Sequence, residues 1–282
     1  MNGEYTDERH EVVNNGFRKY TDPSFWDDYR NKLILLGMIS PDVTIDVLKS
    51  IIDKGEKRNG YMPTFFHGDH ASTFVAGNYL RGIKDFDINR AYKLLLNNAF
   101  VPGRGGRPYL QEYMDRGWIA EKDTTNVPTR DEYKAAVTKT VEYAYDDYAI
   151  ALIARKLGDI KNYEILMQRS ENYKPVSYTH LFDTSTGFFR GRIDDGSWIT
   201  DFDPYYPYYA YMYREANAWN ALFFAPHDPK GMIELYPDHN AVENKLDSLF
   251  SEPWRGYEVD NMTGFIGNYC HGNQPGHSIP YT

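Results

Sequence analysis

The sequence predicts an all-α fold, in which helices of modest length are joined by loops that are sometimes long and aromatic. Helix starts recur along the chain, as at Ser40-Pro41-Asp42, and apolar residues follow at helical spacing, as at Val43, Val47 and Ile51. Helical hairpins at this rhythm form either an α-solenoid or a closed ring of helix pairs. Long loops rich in Gly, Asp and Trp favour the ring, because function concentrates in loops at one end of a scaffold.

The individual elements follow from start signals, stop signals and periodicity. Asp87 is predicted to cap a helix, and Asn59-Gly60 and Gly158 are predicted to end two others. The stretch 101–130 is read as a long loop ending in a cap at Thr129 or Asp131, and 175–210 as short extended pieces around turns. Helices are predicted over 25–36, 40–57, 71–80, 87–98, 131–157, 160–173, 213–224, 238–250 and 264–270, with a short one starting at 228.

Within the helix that ends at about Leu157, one face is expected to be apolar and to pack on the core. Its residues are Val137, Val141, Tyr145, Tyr148 and Leu152.

Composition and charge narrow the class of protein. The chain has 282 residues, is 41% hydrophobic and carries a formal charge of -9 without any Lys/Arg-rich run, which argues against nucleic acid and anionic membranes as partners. Cys270 is the single cysteine, so neither an intramolecular disulfide nor a cysteine-based zinc site is possible. No apolar run reaches the ~18 residues of a membrane span. We expect one domain over residues 1–282.

The stretch FWDDYRNKL, residues 25–33, places an aromatic residue, carboxylates and a guanidinium within one helical turn. Asp27 and Arg30 can form an ordinary surface pair at i, i+3. Alternatively, Trp26 is a stacking wall for a sugar and Asp27 bonds its hydroxyl groups.

The stretch HGDHA, residues 67–71, offers His67, Asp69 and His70. A metal site is weakly supported, because no third strong ligand lies nearby. We expect Asp69 to cap the following helix while the histidines line a cavity.

The stretch REANAWN, residues 214–220, contains Glu215 close to Trp219. One interpretation is an acidic residue in the first turn of a helix, stabilised by the helix dipole by roughly 0.3–1 kcal/mol. The other is a general acid whose pKa is raised by an apolar wall, with Trp219 one turn away as that wall.

The stretch CHGNQPGHS, residues 270–278, combines amide oxygens with residues that shape a turn. Asn273 and Gln274 are oxygen donors of the kind that suits Ca²⁺, and a polar loop that simply ends a helix is the alternative.

These four stretches, in this order, resemble the motifs of glycoside hydrolase family 92, the exo-acting, calcium-dependent α-mannosidases. The intervening segments GIKDFDINRAY, VEYAYDDYAIALIARKLG, GFFRGRIDDGSW and PHDPKGMIEL also resemble family segments, so that the similarity runs from about residue 20 to the end.

The resemblance implies an inverting α-mannosidase, α-1,2-mannosidase-like, that removes terminal mannose from glycans. It implies an N-terminal β-sandwich packed on an (α/α)6 toroid, of which this chain would hold an incomplete toroid without the β-sandwich or the last helices. Glu215 matches the general acid, and Asn273 with Gln274 matches the loop that helps to hold Ca²⁺. The substrate-binding residues implied are Trp26, Asp27, Arg30, Asp69, His70, Trp219 and His271.

Three departures from the family pattern stand out. The aspartate of the family's catalytic base would lie beyond Thr282, so we expect this chain alone to be inactive and, with apolar faces left open, to self-associate. Gln274 stands where the family has glutamate, which should weaken Ca²⁺ binding. PVSYTHL at 175–181 is read as an insertion.

Two other functions are left open. A decayed, non-catalytic carbohydrate-binding remnant would keep the pocket without the chemistry. An (α/α)6 sugar epimerase would use a histidine pair, with His67, His70 and His271 as candidates. The resemblance implies a periplasmic or extracellular location for the full-length parent, although the polar start of the chain is not a signal peptide.

Overall fold

The structure, a computed structural model, describes residues 4–7, 10–64, 67–122, 133–174, 181–206, 211–255 and 262–281. Tertiary contacts divide the chain into two compact units. Unit 1 comprises Met1–Leu110 with Asp146–Met167, and unit 2 comprises Gln111–Tyr145 with Gln168–Thr282. The prediction of a mostly helical chain is confirmed.

The helices occur in the predicted order, with short strands between them. The helices are α1 Phe25–Asp28, α2 Lys32–Ile39, α3 Pro41–Arg58, α4 Ala71–Leu80, α5 Ile88–Phe100, α6 Leu110–Arg116, α7 Ala136–Leu157, α8 Ile160–Arg169, α9 Ala218–Ala221, α10 Pro229–Ile233 and α11 His239–Ser251. In the described ranges the strands form antiparallel pairs, β1 Glu4–Thr6 with β2 Val12–Asn14, β3 Phe182–Asp183 with β4 Phe188–Phe189, and β5 Phe265–Ile266 with β6 Tyr269–Cys270. A 3₁₀ helix covers Gln274–Tyr281.

Several start and stop signals act as the sequence indicates. The carboxylate of Asp87 accepts hydrogen bonds from the backbone of Asn89 and Arg90 at the start of α5. Pro41 opens α3, whose residues Val47 and Ile51 are buried. The predicted extended pieces are present as β3 and β4.

Other boundaries were predicted wrongly, each for a local reason. The helix expected over 25–36 is interrupted, because the side chain of Asn31 caps a new helix at Lys32. The loop expected over 101–130 contains α6, and the proposed caps Thr129 and Asp131 lie outside the described residues. The helix expected to reach Tyr173 ends at Arg169.

The helix expected over 264–270 is the β5–β6 hairpin. Gly267 has a φ of 60°, which suits the first position of a two-residue hairpin turn and would interrupt a helix.

Helix α7 is buried on more sides than an amphipathic helix would be. Val137 and Val141 are buried as predicted, but Tyr145 is only half-buried, whereas Asp146 and Asp147 are fully buried. Tyr148 and Leu152 are half-buried as well. The prediction of a single apolar face on α7 is therefore wrong. Its buried aspartates require cationic or hydrogen-bonding partners.

Candidate active site

Glu215 lies outside the helix in which the sequence placed it. Its φ of 49° is in the left-handed region, and Asn217 is the N-cap of α9. The side chains and backbones of Asn217 and Asn220 bond each other reciprocally in a capping box. The interpretation of Glu215 as a first-turn helix acid is therefore wrong, because the predicted helix over 213–224 is reduced to four residues.

Glu215 is part of a small cleft within unit 2. Its lining residues are Arg214, Glu215, Ala216, Asn220, Phe224, Tyr269, Cys270, Asn273, Pro275, Gly276 and Ile279. The free space is about 20 Å³, which is room for about one water molecule and not for a sugar ring. Among these described lining residues Glu215 is the only carboxylate.

The partners of Glu215 come from both sides of the cleft. Nε of Arg214 lies 3.5 Å from Oε1 of Glu215, as expected for the one cation beside it in sequence. Nδ2 of Asn273 donates a hydrogen bond to the backbone carbonyl oxygen of Glu215 over 3.0 Å. Glu215 is 6% exposed, so the carboxyl group is held in a largely desolvated position.

Trp219 does not form the predicted wall beside Glu215. Because the backbone leaves helical geometry at Glu215, the two residues are not one helical turn apart. The indole packs instead against Phe188, at 4.8 Å between ring centroids, and against Tyr205 at 5.7 Å. The apolar side of the cleft is formed by Phe224, Tyr269 and Ile279.

A cluster of three amides links α9 to the β5–β6 hairpin. Asn217 donates to Oδ1 of Asn268 over 3.0 Å, and Asn220 donates to the backbone oxygen of Asn268. Asn268 in turn donates to the carbonyl of Glu252 over 2.9 Å. This cluster fixes the hairpin against the Glu215 segment, and the loop after β6 then carries Asn273 to Glu215.

The remaining residues of this loop lie nearer the surface. His271 is exposed, and its Nδ1 is 3.1 Å from the hydroxyl oxygen of Tyr269. Gln274 is half-buried at the start of the 3₁₀ helix and is not among the residues that line the cleft.

The donors of this loop do not make a complete calcium site. Ca²⁺ takes six to eight oxygen ligands, usually with carboxylates among them. Asn273 and Gln274 supply amide oxygens, and the described residues contain no group of three or more His, Cys, Asp or Glu arranged to hold a metal ion. No chemical step is therefore assigned to a metal here.

In unit 1 the rings of Trp26, a predicted sugar-binding residue, and of Tyr29 lie against His70. The rings of Tyr29 and His70 are stacked at 3.9 Å with 8° between their planes, and the guanidinium carbon of Arg30 lies 4.3 Å from the Tyr29 centroid. The Trp26 ring lies 5.8 Å from His70 and 5.9 Å from His67. Asp27 accepts a hydrogen bond from the hydroxyl of Ser24. We call Trp26, Tyr29, Arg30 and His70 the histidine stack.

Asp69 does not cap α4 as predicted, since its carboxylate is engaged in a buried network. Asn98 donates to Oδ1 of Asp69 over 2.8 Å, and Nε of Arg107 donates to Oδ2 over 3.0 Å. Nη1 of Arg107 also donates to Asp147 over 2.6 Å. The N-cap position of α4 belongs to His70, without a capping side-chain bond.

Asp146 joins this network to the histidine stack. Its Oδ2 accepts from the backbone N–H of Asp69 over 2.7 Å, and its Oδ1 accepts from the Ser72 hydroxyl over 3.1 Å. Nδ1 of His70 lies 3.5 Å from Oδ1, and both side chains are fully buried. Burial raises the pKa of Asp69 and of Asp146 well above the usual range of a carboxyl group, against the opposing charge of Arg107.

Sequence reasoning missed Arg107, Asp146 and Asp147. Arg107 lies in the stretch predicted to be a loop, and the two aspartates lie on the helix for which one apolar face was predicted. A pair of adjacent aspartates inside an otherwise apolar helix was a usable signal, because buried carboxylates need cationic or hydrogen-bonding partners elsewhere in the chain.

Comparison with known proteins identifies the class to which this fold and site belong. The model of the glycosyl hydrolase family 92 catalytic domain matches residues 1–282. The chain belongs to glycosyl hydrolase family 92, as the four sequence motifs predicted.

Individual relatives agree with this assignment. An uncharacterized secreted glycosidase of Arthroderma benhamiae is 29% identical over 234 residues, covering 72% of this chain and 29% of that protein. A family 92 α-mannosidase of Bacteroides thetaiotaomicron, solved also with mannoimidazole, superposes with a TM-score of 0.85 at 27% identity, over 99% of this chain and 36% of its own. A second mannosidase of that bacterium, described as inverting, gives a TM-score of 0.78 at 25% identity, over 99% and 40%.

The chain thus spans between about 29% and 40% of the length of these relatives. In the part of the chain that the structure describes, no helix combines the length and apolar character needed to cross a membrane.

Proposed function

We propose that this chain forms part of the catalytic domain of an inverting, exo-acting α-mannosidase that removes terminal mannose from glycans, with Glu215 as the general acid. The observation that carries the proposal is the family match over the whole chain, together with the likeness to solved α-mannosidases, one of them bound to mannoimidazole.

The geometry around Glu215 supports the role of an acid. Its carboxyl group is buried and lines a small cleft, and its backbone carbonyl accepts a hydrogen bond from Asn273 in the loop after β6. In the proposed reaction the carboxyl group gives its proton to the glycosidic oxygen as the bond from that oxygen to the anomeric carbon breaks. A water molecule then adds to the opposite face of the sugar and loses its proton to a base.

The base is a further requirement of inverting hydrolysis, which uses two carboxyl groups about 6.5–9.5 Å apart. Glu215 is the only carboxylate among the described residues of its cleft, and the small volume of the cleft means that the sugar must bind beyond it. The sequence-based expectation that the base lies outside residues 1–282 remains a prediction, as does the inactivity of the chain by itself.

Calcium binding, export from the cell and the sugar-binding roles of individual residues are also proposals. Family resemblance supports Ca²⁺ at the loop of Asn273 and Gln274, although the described donors form only part of a ligand set. The relative from Arthroderma benhamiae carries the description of a secreted protein, which supports secretion of the parent of this chain.

The decisive experiment is calorimetric binding of mannoimidazole to this chain, with Glu215→Gln measured alongside and Ca²⁺ present or removed. We expect binding by both proteins, since the substitution keeps size and polarity but removes the transferable proton. In a full-length protein that contains this chain, the same substitution should reduce mannoside hydrolysis by at least about 100-fold, in line with general acid catalysis. If the Glu215→Gln variant hydrolyses mannosides as fast as the unaltered protein, Glu215 is not the general acid.

A non-catalytic carbohydrate-binding module is the second candidate, and the presence of one carboxylate in the described cleft favours it. A binding module should bind mannoimidazole and mannose with similar affinity, because it does not stabilise a transition state. An inhibitor that binds at least about 100-fold more tightly than mannose would favour the enzyme.

A further inference from the structure

The buried network in unit 1 contains more negative than positive charge. Asp69, Asp146 and Asp147 face the single guanidinium of Arg107, and all four side chains are fully buried. Nε and Nη1 of Arg107 bond directly to Asp69 and Asp147, and its charge also lowers the pKa of Asp146. One guanidinium does not balance three buried carboxyl groups, so a proton or a further cation close to Asp146 would lower the cost of burial.

His70 is the group placed to meet this requirement. Its Nδ1 lies 3.5 Å from Oδ1 of Asp146, at ion-pair distance. The other donors to Asp146 are neutral, namely the Ser72 hydroxyl and the Asp69 backbone. The high pKa of Asp146 agrees with a proton held at this position.

Close packing against neighbouring residues constrains the other sides of the His70 imidazole. One contact is the stack on Tyr29 at 3.9 Å. Another is the backbone of Gly68, where an added Cβ would come within 2.1 Å of Cε1 of His70. The ring therefore occupies a narrow slot, in which Nδ1 lies on the side of Asp146.

We propose that Asp146 is a positioning residue, which shares one proton with His70 and thereby holds the histidine stack in the arrangement that binds saccharide. The rings of Trp26 and Tyr29 lie against His70. The groups that act on Asp146 are Arg107 from the loop before α6, Asp147 from the same helix, and Asp69 with Ser72 at the start of α4. The saccharide-binding part of this inference rests on the proposed function, whereas the proton-sharing part does not.

The first test is the titration of His70 followed by NMR of the imidazole nitrogens, with His70→Gln used to assign the signal. Asp146→Asn removes the charge, while its single carbonyl oxygen can still accept from the Asp69 backbone and the Ser72 hydroxyl can turn to accept from the new amide. We expect it to lower the pKa of His70 by about one unit or more, because an adjacent carboxylate favours the charged imidazole.

Asp147→Asn is the matched control. It removes an equally buried carboxylate on the same turn of α7, which bonds Arg107 rather than His70. A purely structural loosening would affect both variants alike. The proposal is overturned if the titration of His70 is unchanged in Asp146→Asn, or if Asp147→Asn shifts it as much.

A milder variant covers the case in which Asp146→Asn does not fold. Ser72→Ala removes one hydrogen bond to the Asp146 carboxylate and keeps every charge. It should move the His70 titration in the same direction by a smaller amount, and an unmoved titration would overturn the proposal.

The second test is mannoimidazole affinity. We expect Asp146→Asn to bind about tenfold more weakly than the unaltered chain, and Asp147→Asn to bind less than about threefold more weakly, where tenfold corresponds to about 1.4 kcal/mol. If Asp146→Asn shifts the titration of His70 but binds mannoimidazole as tightly as Asp147→Asn does, Asp146 shares a proton with His70 without affecting saccharide binding. That result would overturn the saccharide-binding part of the proposal. If no protein, altered or not, binds the inhibitor, the proposed function fails while the NMR result still decides whether Asp146 and His70 share a proton.

Discussion

The side chain of Asn273 donates a hydrogen bond to the backbone carbonyl oxygen of Glu215, with 3.0 Å between the nitrogen and the oxygen. Both residues are buried, and they stand 58 positions apart in the chain. The bond joins the loop read from sequence as an oxygen-rich ligand loop to the residue read as the general acid. Glu215, whose carbonyl accepts this bond, has a left-handed backbone with a φ of 49°.

Removing this donor should destabilise unit 2. For Asn273→Ala we expect a loss of about 1–3 kcal/mol in the free energy of unfolding, since a buried acceptor loses a hydrogen bond. Urea unfolding followed by circular dichroism measures this loss. Asn244→Ala, at an exposed position of α11, is the control and should stay within about 0.5 kcal/mol. Equal stabilities of the two variants would contradict the importance of the bond.

The backbone of Glu215 leads to a second prediction. Because its φ is 49°, glycine should be favoured over alanine there, and Glu215→Gly should be more stable than Glu215→Ala by about 1 kcal/mol. At Glu243, exposed on α11, the order should be reversed by a similar amount, about 1 kcal/mol, because glycine weakens helices. Denaturant unfolding of the four variants measures the stability of glycine relative to alanine at each site. If alanine is the more stable residue at both sites, Glu215 does not have a left-handed backbone.

The buried network should make stability depend on pH. The pKa of Asp69 and of Asp146 is raised by burial to about 7 in the folded chain, above the ordinary value of an aspartate. Each group therefore binds its proton more tightly when folded, so its contribution favours folding at low pH and is lost as pH rises from about 4 through about 7.

Arg107→Met tests this network. Leaving buried carboxylates without their cation should cost about 3–5 kcal/mol at pH 8. The loss should be smaller at pH 5, where Asp69 is protonated. Unfolding at both pH values measures the difference. Arg90→Met is the control, because the pair of Arg90 with Glu56 is exposed and should contribute at most about 1 kcal/mol at either pH. A loss for Arg107→Met that is the same at pH 5 and pH 8 would show that Asp69 does not titrate in this range.

Gln274 makes the calcium prediction testable. Gln274→Glu restores the charge found in the family motif and should tighten Ca²⁺ binding on the order of tenfold, since ligand charge tunes affinity. Calorimetry with CaCl₂ is the measurement, and Gln111→Glu, exposed on α6, should leave the affinity unchanged. If neither the unaltered chain nor Gln274→Glu binds Ca²⁺ with a dissociation constant below about 1 mM, this chain has no functional calcium site.

Much of the candidate site could be predicted from sequence as a set of motifs, but not as a geometry. Glu215 and Asn273 were both named, yet nothing local indicated that one would bond the backbone of the other. Trp219 was expected beside Glu215 because a continuous helix was assumed. The left-handed conformation of Glu215 breaks that helix. Such a conformation is hard to predict from a single sequence when the residue is not glycine.

By itself the sequence determined the mostly helical character of the chain, the helix starts at Pro41 and Asp87, and membership of glycosyl hydrolase family 92. These properties depend on local patterns of caps, periodicity and ordered motifs. Only the tertiary structure decided that Arg107 pairs with Asp69 and Asp147, that Asp146 lies beside His70, and that Asn273 reaches Glu215. Such pairings join residues tens of positions apart, and they form because burial removes water and leaves each charge or amide only the partners that the fold provides.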